Sequence, residues 1–376
     1  MQRCLCAHCE QPIEFPTEMA GQEIACPVCG QLTNLSTDTG PLIRIPKKQT
    51  RENTAMAETS TEIQRLGNRI LDNVEKVIVG KQAAVQLALV AWLAEGHILL
   101  EDVPGVAKTM LARALARSVD CSFKRIQCTP DLLPSEITGS SVFNPQTTHF
   151  EFRAGPVFAQ IVLADEVNRA TPRAQAAFLE AMAERRVSVD GVEHLLEAPF
   201  LVIATQNPID HEGTFPLPEA QLDRFLIKMS LGYPGLQDEA AMLERIQKRH
   251  PIDTLEAVST AAELLAAQQA VKEIMVHPLV RDYIVRLVHA TREHPSVRLG
   301  ASPRASAAIM RAAQAYAGLQ GFDYVLPDDI KEVAPHILGH RLIIQPESRL
   351  RKITAPEIIR QILHQVAVPV MPEKRV

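Results

Sequence analysis

From Thr61 onward the apolar positions recur at helical spacing, through Ile63, Leu66, Ile70, Val74 and Val77. Ala83–Leu93 continues as a second, buried helix. Beyond it, short apolar runs alternate with helical stretches, at His97–Leu100, Phe123–Ile126, Ile161–Ala164, Phe200–Ala204 and Phe225–Met229. Such runs, separated by enough chain for a crossover helix, predict parallel strands buried on both faces of an α/β layer fold. Past Tyr233-Pro234-Gly235 the runs stop. Residues 236–350 read as helices punctuated by Pro251, Pro278, Pro295 and Pro327, a second and all-helical unit. Two stretches instead alternate about a turn, Ser141–Phe152 around Asn144-Pro145-Gln146 and Val187–Leu196 around Asp190-Gly191. They predict hairpins.

The N-terminal part carries no such pattern. Residues 36–60 are polar, with two prolines, and read as a linker whose basic cluster (Arg44, Lys47, Lys48, Arg51) is a solvated tether. The expected organisation is a cysteine module over 1–35, a linker over 36–60, an α/β core over 61–235, a helical lid over 236–350 and a tail over 351–376. With aromatics at 4% and a single Trp, Leu, Ile, Val and Ala must fill the cores. A net charge of −5 argues against a protein that coats nucleic acid by bulk charge. The uncharged window Gln82–Ala94 is too short to span a bilayer, and the N-terminus lacks the apolar run of a signal peptide. A soluble, cytoplasmic chain is expected, with no membrane partner.

Candidate chemistry begins where HILL runs into EDVPGVAKT and then the helical MLARALARSV. A strand, a Gly/Pro turn, Lys-Thr and a helix start make a phosphate site, because backbone N–H groups of the turn and the helix N-terminus point at the anion. Val103, Pro104, Gly105, Val106 and Ala107 would line it, Lys108 would reach the β and γ oxygens of ATP, and Thr109 would offer Mg²⁺ a hydroxyl. Asp102 and Ala107 stand where the generic loop has glycine. Ala107 is tolerable if its φ stays negative, and the Asp102 carboxylate must point away from the triphosphate.

IVLADE ends an apolar strand in two carboxylates. Asp165 would hold Mg²⁺ and Glu166 would orient and deprotonate the attacking water. LVIATQNP ends another buried run in Asn207, whose amide can reach that water or the γ-phosphate. Arg224, after Asp223, suits an arginine finger acting on a neighbouring subunit. Arg304, in GASPRA, is a phosphate-sensing candidate. Arg169 is read as an interface or helix-entry residue, with Thr171-Pro172 as N-cap and first-turn proline.

Taken in order, EDVPGVAKT, FRAGPVF, LADEVNRATPRAQAAFLEAMAERRVSVDG, ATQNP, EGTFPLPEAQLDRF and GASPRA closely resemble the MoxR branch of the AAA+ ATPases over residues 62–350. That resemblance implies Walker A at 102–109, Walker B at 161–166, sensor 1 at Asn207, the finger at Arg224 and sensor 2 at Arg304. It also implies a homo-oligomeric ring, usually hexameric, with ATP between subunits. Members remodel or activate client proteins, often with a partner bearing a von Willebrand factor A domain, and metal insertion is one outcome. The two hairpins would then face the ring's pore. Two other functions compete: a nucleic-acid motor, disfavoured by the charge and the scarcity of aromatics, and a nucleotide-binding scaffold without hydrolysis.

Cys6-Ala-His-Cys9 and Cys26-Pro-Val-Cys29-Gly sit sixteen residues apart and resemble a zinc ribbon. Paired knuckles present four thiolates in the tetrahedron Zn²⁺ prefers, leaving no open position for catalysis. Cys4 and His8 are alternative ligands. Cys121 and Cys128 are expected to be buried thiols beside the Phe123–Ile126 strand.

Overall fold

In this computed structural model the residues described are 2–5, 12–15, 23–25, 32–34, 55–207, 214–246 and 250–369. The chain divides into a small N-terminal unit ending at Thr50 and a large unit over Arg51–Pro369. In the small unit β1 (Gln2–Leu5) pairs antiparallel with β2 (Pro12–Phe15), and β3 (Glu23–Ala25) with β4 (Leu32–Asn34). Cys6, Cys9, Cys26 and Cys29, the expected zinc ligands, lie outside the described residues.

The large unit opens with α1 (Ala55–Glu75), which starts inside the segment expected to be linker. It buries Ile63, Leu66, Ile70 and Val74. Val77 falls in the turn beyond the helix, and Ile78 takes the buried position. After α2 (Gln82–Leu93), the apolar runs become β5 (Ile98–Glu101), β6 (Phe123–Gln127), β9 (Ile161–Asp165), β12 (Leu201–Gln206) and β13 (Ile227–Met229). They form one five-stranded sheet in the order β13-β5-β12-β9-β6, every neighbour parallel. Strand β9, flanked by β12 and β6, is buried at all five positions, which is why its sequence runs apolar without alternation.

Helix α3 (Lys108–Ser118) follows β5, and the short α4 (Pro134–Thr138) leads into the hairpin of β7 (Gly139–Asn144) and β8 (His149–Ala154). Helix α5 (Pro172–Glu184) leads into the second hairpin, β10 (Arg186–Val189) and β11 (Val192–Leu195). Its turn has Asp190 at φ 50° and Gly191 at φ 79°, the two positive values a primed hairpin turn requires. Aromatic contact joins the hairpins: Phe152 stacks on His194 with ring centroids 3.9 Å apart, and Phe158 meets Phe152 edge-on. At the far end of the first hairpin, Phe143 and Phe150 form an exposed T-shaped pair. A short α6 (Glu219–Leu222) precedes β13.

The remainder is α7 (Leu236–Ile246), α8 (Ala261–Lys272), α9 (Pro278–Glu293), α10 (Pro303–Leu319), α11 (Pro327–Leu338), α12 (Pro346–Leu350) and α13 (Ala355–Gln365). It is not wholly helical, because β14 (Val297–Leu299) pairs antiparallel with β15 (Ile343–Ile344). Nor does the lid stop at 350. Helix α13 buries Ile358, Ile359 and Ile362, and it packs against α9 and α11. Among the described residues, no helix is long and apolar enough to cross a membrane.

Two histidines are locked in the interior as neutral rings. His97 accepts from the Val202 amide through Nδ1 (3.0 Å) and donates from Nε2 to the Met182 carbonyl (3.1 Å). Burial pushes it down to about 4. Burial, assisted by the adjacent Arg341 charge, pushes His340 down to about 3. Above pH 6.5 both rings are neutral whether folded or not, so the full stability is present. As pH falls from 6.5 towards these lowered values the unfolded chain takes up protons that the fold refuses, and stability is lost. For His97 the loss at pH 4 is about 3 kcal/mol. Asp329 acts in the opposite sense: burial raises it to about 6, so it adds stability as pH falls below 6. Urea melts of wild type and His97→Gln at pH 7 and 4.5 should therefore show a shallower acid loss in the variant. Parallel slopes would contradict the buried-neutral assignment.

Candidate functional site

Three adjacent parallel strands, β5, β12 and β9, deliver the candidate residues to their carboxyl ends, where open α/β sheets bind ligands. Beyond β5 the chain turns through Gly105 (φ 86°) and enters α3 at Lys108. The first α3 bond runs from the Leu111 amide to the Ala107 carbonyl, so the amides of 108–110 precede the helical ladder. Amides left over at a helix start, with the positive end of its dipole, suit an anion. Lys108 Nζ donates to the Asp102 carbonyl (2.8 Å), which keeps the ammonium beside the loop.

Both departures from glycine now have a geometry. Asp102 turns its carboxylate onto the chain after β13: Oδ2 accepts from the Leu231 amide (2.6 Å), the Gly232 amide (2.8 Å) and Ser230 Oγ (3.0 Å). The expected negative φ at Ala107 is not what is found. Ala107 has φ 62° and ψ 22°, left-handed values that cost a residue with a Cβ roughly 1–2 kcal/mol. The loop needs that conformation to enter α3, and alanine, the smallest side chain, bears it.

Asp165 ends β9 beside Thr205 of β12 and Gln127 of β6. Its Oδ1 accepts from Thr205 Oγ1 (2.6 Å), and Oδ2 accepts from Arg125 Nη2 (2.6 Å) and Nε (3.1 Å). Glu166 follows with φ 57° and ψ 50°. Its amide donates to the same Thr205 Oγ1 (2.8 Å), so one hydroxyl fixes the carboxylate of Asp165 and the left-handed backbone of Glu166. The Glu166 carboxylate accepts from Arg169 Nη1 (2.9 Å) and Gln127 Nε2 (3.3 Å). Arg169 is therefore a partner of Glu166, while Thr171 caps α5 ahead of Pro172 as expected. Asn207 is buried just past β12, next to the Gln206 carbonyl that accepts from the Asp102 amide (3.1 Å).

Arg224 and Arg304 stand apart from this group. The exposed Arg224 donates from Nη1 to the Leu179 carbonyl on α5. Arg304, at the start of α10, reaches Asp223 Oδ2 at 3.6 Å. Among the described residues no hydrogen bond or ion pair joins either arginine to the loop or to Asp165 and Glu166. Arg304 thus pairs with Asp223, the residue before Arg224 in sequence, while the Arg224 guanidinium turns to α5.

Sequence reading missed Arg125, Gln127 and Thr205. The signal for the first two was polar residues at alternate positions of FKRIQ, one face of an edge strand. Cys128 is buried as expected but Cys121 is only half-buried, and burial is the main cause that pushes both thiols up to about 12.

Comparisons with known proteins show the family. Residues 97–227 match the family model of the ATPase family associated with various cellular activities, and residues 289–362 match the AAA lid domain. The Bacillus subtilis protein YeaC is 51% identical over 309 residues, covering 82% of this chain and 97% of its own. Chaperone MoxR1 of Mycobacterium tuberculosis is 42% identical over 310 residues, covering 80% and 82%. The crystal structure of a putative ATPase from Cytophaga hutchinsonii superposes with a TM-score of 0.79 at 39% identity, covering 83% of this chain and 98% of that one. With an α/β core and a helical lid matching the family's two domains, the chain is an ATP hydrolase of the MoxR branch of the AAA+ ATPases.

Proposed function

We infer that the protein is a cytoplasmic, ring-forming ATPase that spends ATP on remodelling or activating a client protein complex. The observation that carries the ring is the separation just described. Lys108, Asp165, Glu166 and Asn207 share one edge of the sheet, while Arg224 bonds to the Leu179 carbonyl and Arg304 to Asp223. Two arginines that each bond away from their own site are suited to a neighbour's γ-phosphate. Each subunit would then bind ATP on its loop (Val103–Thr109) and lend its cations to the next, in a hexamer.

Thr109 at the start of α3 and the Asp165 carboxylate, already cradled by Thr205, offer the oxygen ligands that suit Mg²⁺, which would neutralise phosphate charge. Glu166 would orient the attacking water and accept its proton. Arg169 and Gln127 hold its carboxylate at the sheet edge, and Asn207 would reach the same water.

The likeness to Chaperone MoxR1 supports a client protein over nucleic acid. The exposed Phe143–Phe150 pair would meet that client in the pore, and a von Willebrand factor A protein is the expected partner. Metal insertion into an enzyme is one outcome such remodelling would have. In the N-terminal unit one CxxC falls between β1 and β2 and the other between β3 and β4. This supports a zinc ribbon with Cys6, Cys9, Cys26 and Cys29 as ligands, serving as a docking module. The test is affinity capture with Glu166→Gln under ATP. Recovery of a von Willebrand factor A protein bears the reading out; recovery of nucleic acid alone overturns it.

A further inference from the structure

Arg341, in the turn after α11, is buried to 3% side-chain exposure in a cage of acceptors. Its Nε donates to Asp223 Oδ1 (2.7 Å), and Nη2 donates to the carbonyls of Phe225 (2.6 Å) and Asp223 (3.2 Å). Nη1 donates to the Leu226 carbonyl (3.3 Å) and to that of Ile337. The adjacent His340 adds a fifth contact to the segment, from Nε2 to the Phe225 carbonyl (3.0 Å). The segment 223–226 so gripped carries Arg224 and runs straight into β13. Burial works against the Arg341 charge, and the Asp223 carboxylate opposes that loss. A cation buried at such cost, with each guanidinium nitrogen engaged, implies a demand for a fixed geometry that a plain hydrophobic contact would not meet.

We propose that Arg341 is the positioning residue of the arginine finger: the lid, through Arg341, fixes the backbone from which Arg224 reaches the neighbouring subunit. The proposal rests on the reading that Arg224 acts on a neighbour. It follows that lid and finger move as one body, so a shift of the lid displaces the finger. Lysine cannot replace the fork, because a point ammonium cannot serve acceptors arranged in a plane on opposite sides of it.

The test is steady-state ATP hydrolysis by the full chain with Arg341→Met, Arg341→Lys, Arg224→Ala and the double variant Arg224→Ala/Arg341→Lys. Arg341→Met should lower kcat about 10²-fold, the effect of an ångström-scale misplacement. Arg341→Lys should show a smaller loss of the same kind. KM for ATP should stay within about twofold in both, since an unchanged loop holds the nucleotide. In the double variant Arg341→Lys should cost nothing beyond Arg224→Ala, because the finger it positions is already gone. Multiplying losses, or a loss confined to KM, would make Arg341 a general structural residue and overturn the proposal, and so would full activity of Arg341→Lys. If Arg224→Ala itself leaves turnover unchanged, the finger reading fails first and the proposal falls with it. Should Arg341→Met not fold, Arg341→Lys, which keeps charge and length, carries the comparison alone.

Discussion

Glu166→Gln should lower steady-state phosphate release from ATP by about 10²–10⁴-fold, the range a positioned general base contributes. The substitution keeps the shape of the side chain, and an amide oxygen can still accept from Arg169 as the carboxylate does at 2.9 Å. The backbone is unaffected too, since the Glu166 amide is held by Thr205 Oγ1 whatever the side chain. What is lost is the basic oxygen. ATP affinity should be unchanged, because Lys108 and the amides at the start of α3 do not touch Glu166. Release at the wild-type rate would remove the enzymatic role assigned to this residue and leave a nucleotide-binding scaffold.

A loss of similar size is expected from a residue outside the site. Arginine fingers contribute about 10³–10⁵ to turnover in GTPases, and Arg224→Ala should lower kcat at saturating ATP towards the bottom of that range. In its own chain Arg224 donates to the Leu179 carbonyl, a half-buried contact whose loss is small beside such an effect. Nucleotide affinity of the isolated subunit, read by fluorescent-nucleotide titration, should match wild type. A variant that loses ATP binding and turnover together would place Arg224 within its own site.

Much of this arrangement was legible in the sequence because it depends on local pattern. All five apolar runs became the strands of one parallel sheet. Strands β5, β9 and β12 are buried nearly throughout and lack alternation, whereas the edge strand β6 is buried only at Ile126 and departs from the expected burial on both faces. The Asp190-Gly191 turn was readable because few residues accept its dihedrals. The residues that escaped act across long stretches of chain. Thr205 meets Asp165 only once β12 and β9 are in register, and Arg341 finds Asp223 118 residues earlier. Each looks like an ordinary polar residue until the topology is known. Ala107 shows a different limit: side-chain size argued for a negative φ, but the geometry of entering α3 overrode the local preference. The helical unit continues past 350 by the same kind of local pattern, for Ile358, Ile359 and Ile362 lie at helical spacing in α13.

The central claim is that each ATP site is completed by a neighbour, and mixing two inactive variants tests it most directly. Lys108→Ala subunits lack a working loop but keep Arg224. Arg224→Ala subunits keep the loop but lack the finger. If sites are shared, mixed rings contain Arg224→Ala loops served by fingers from Lys108→Ala neighbours, and phosphate release returns to a substantial fraction of wild type. If mixed assemblies form, by native mass measurement, and stay as inactive as either parent, each subunit works on its own nucleotide and the account is contradicted.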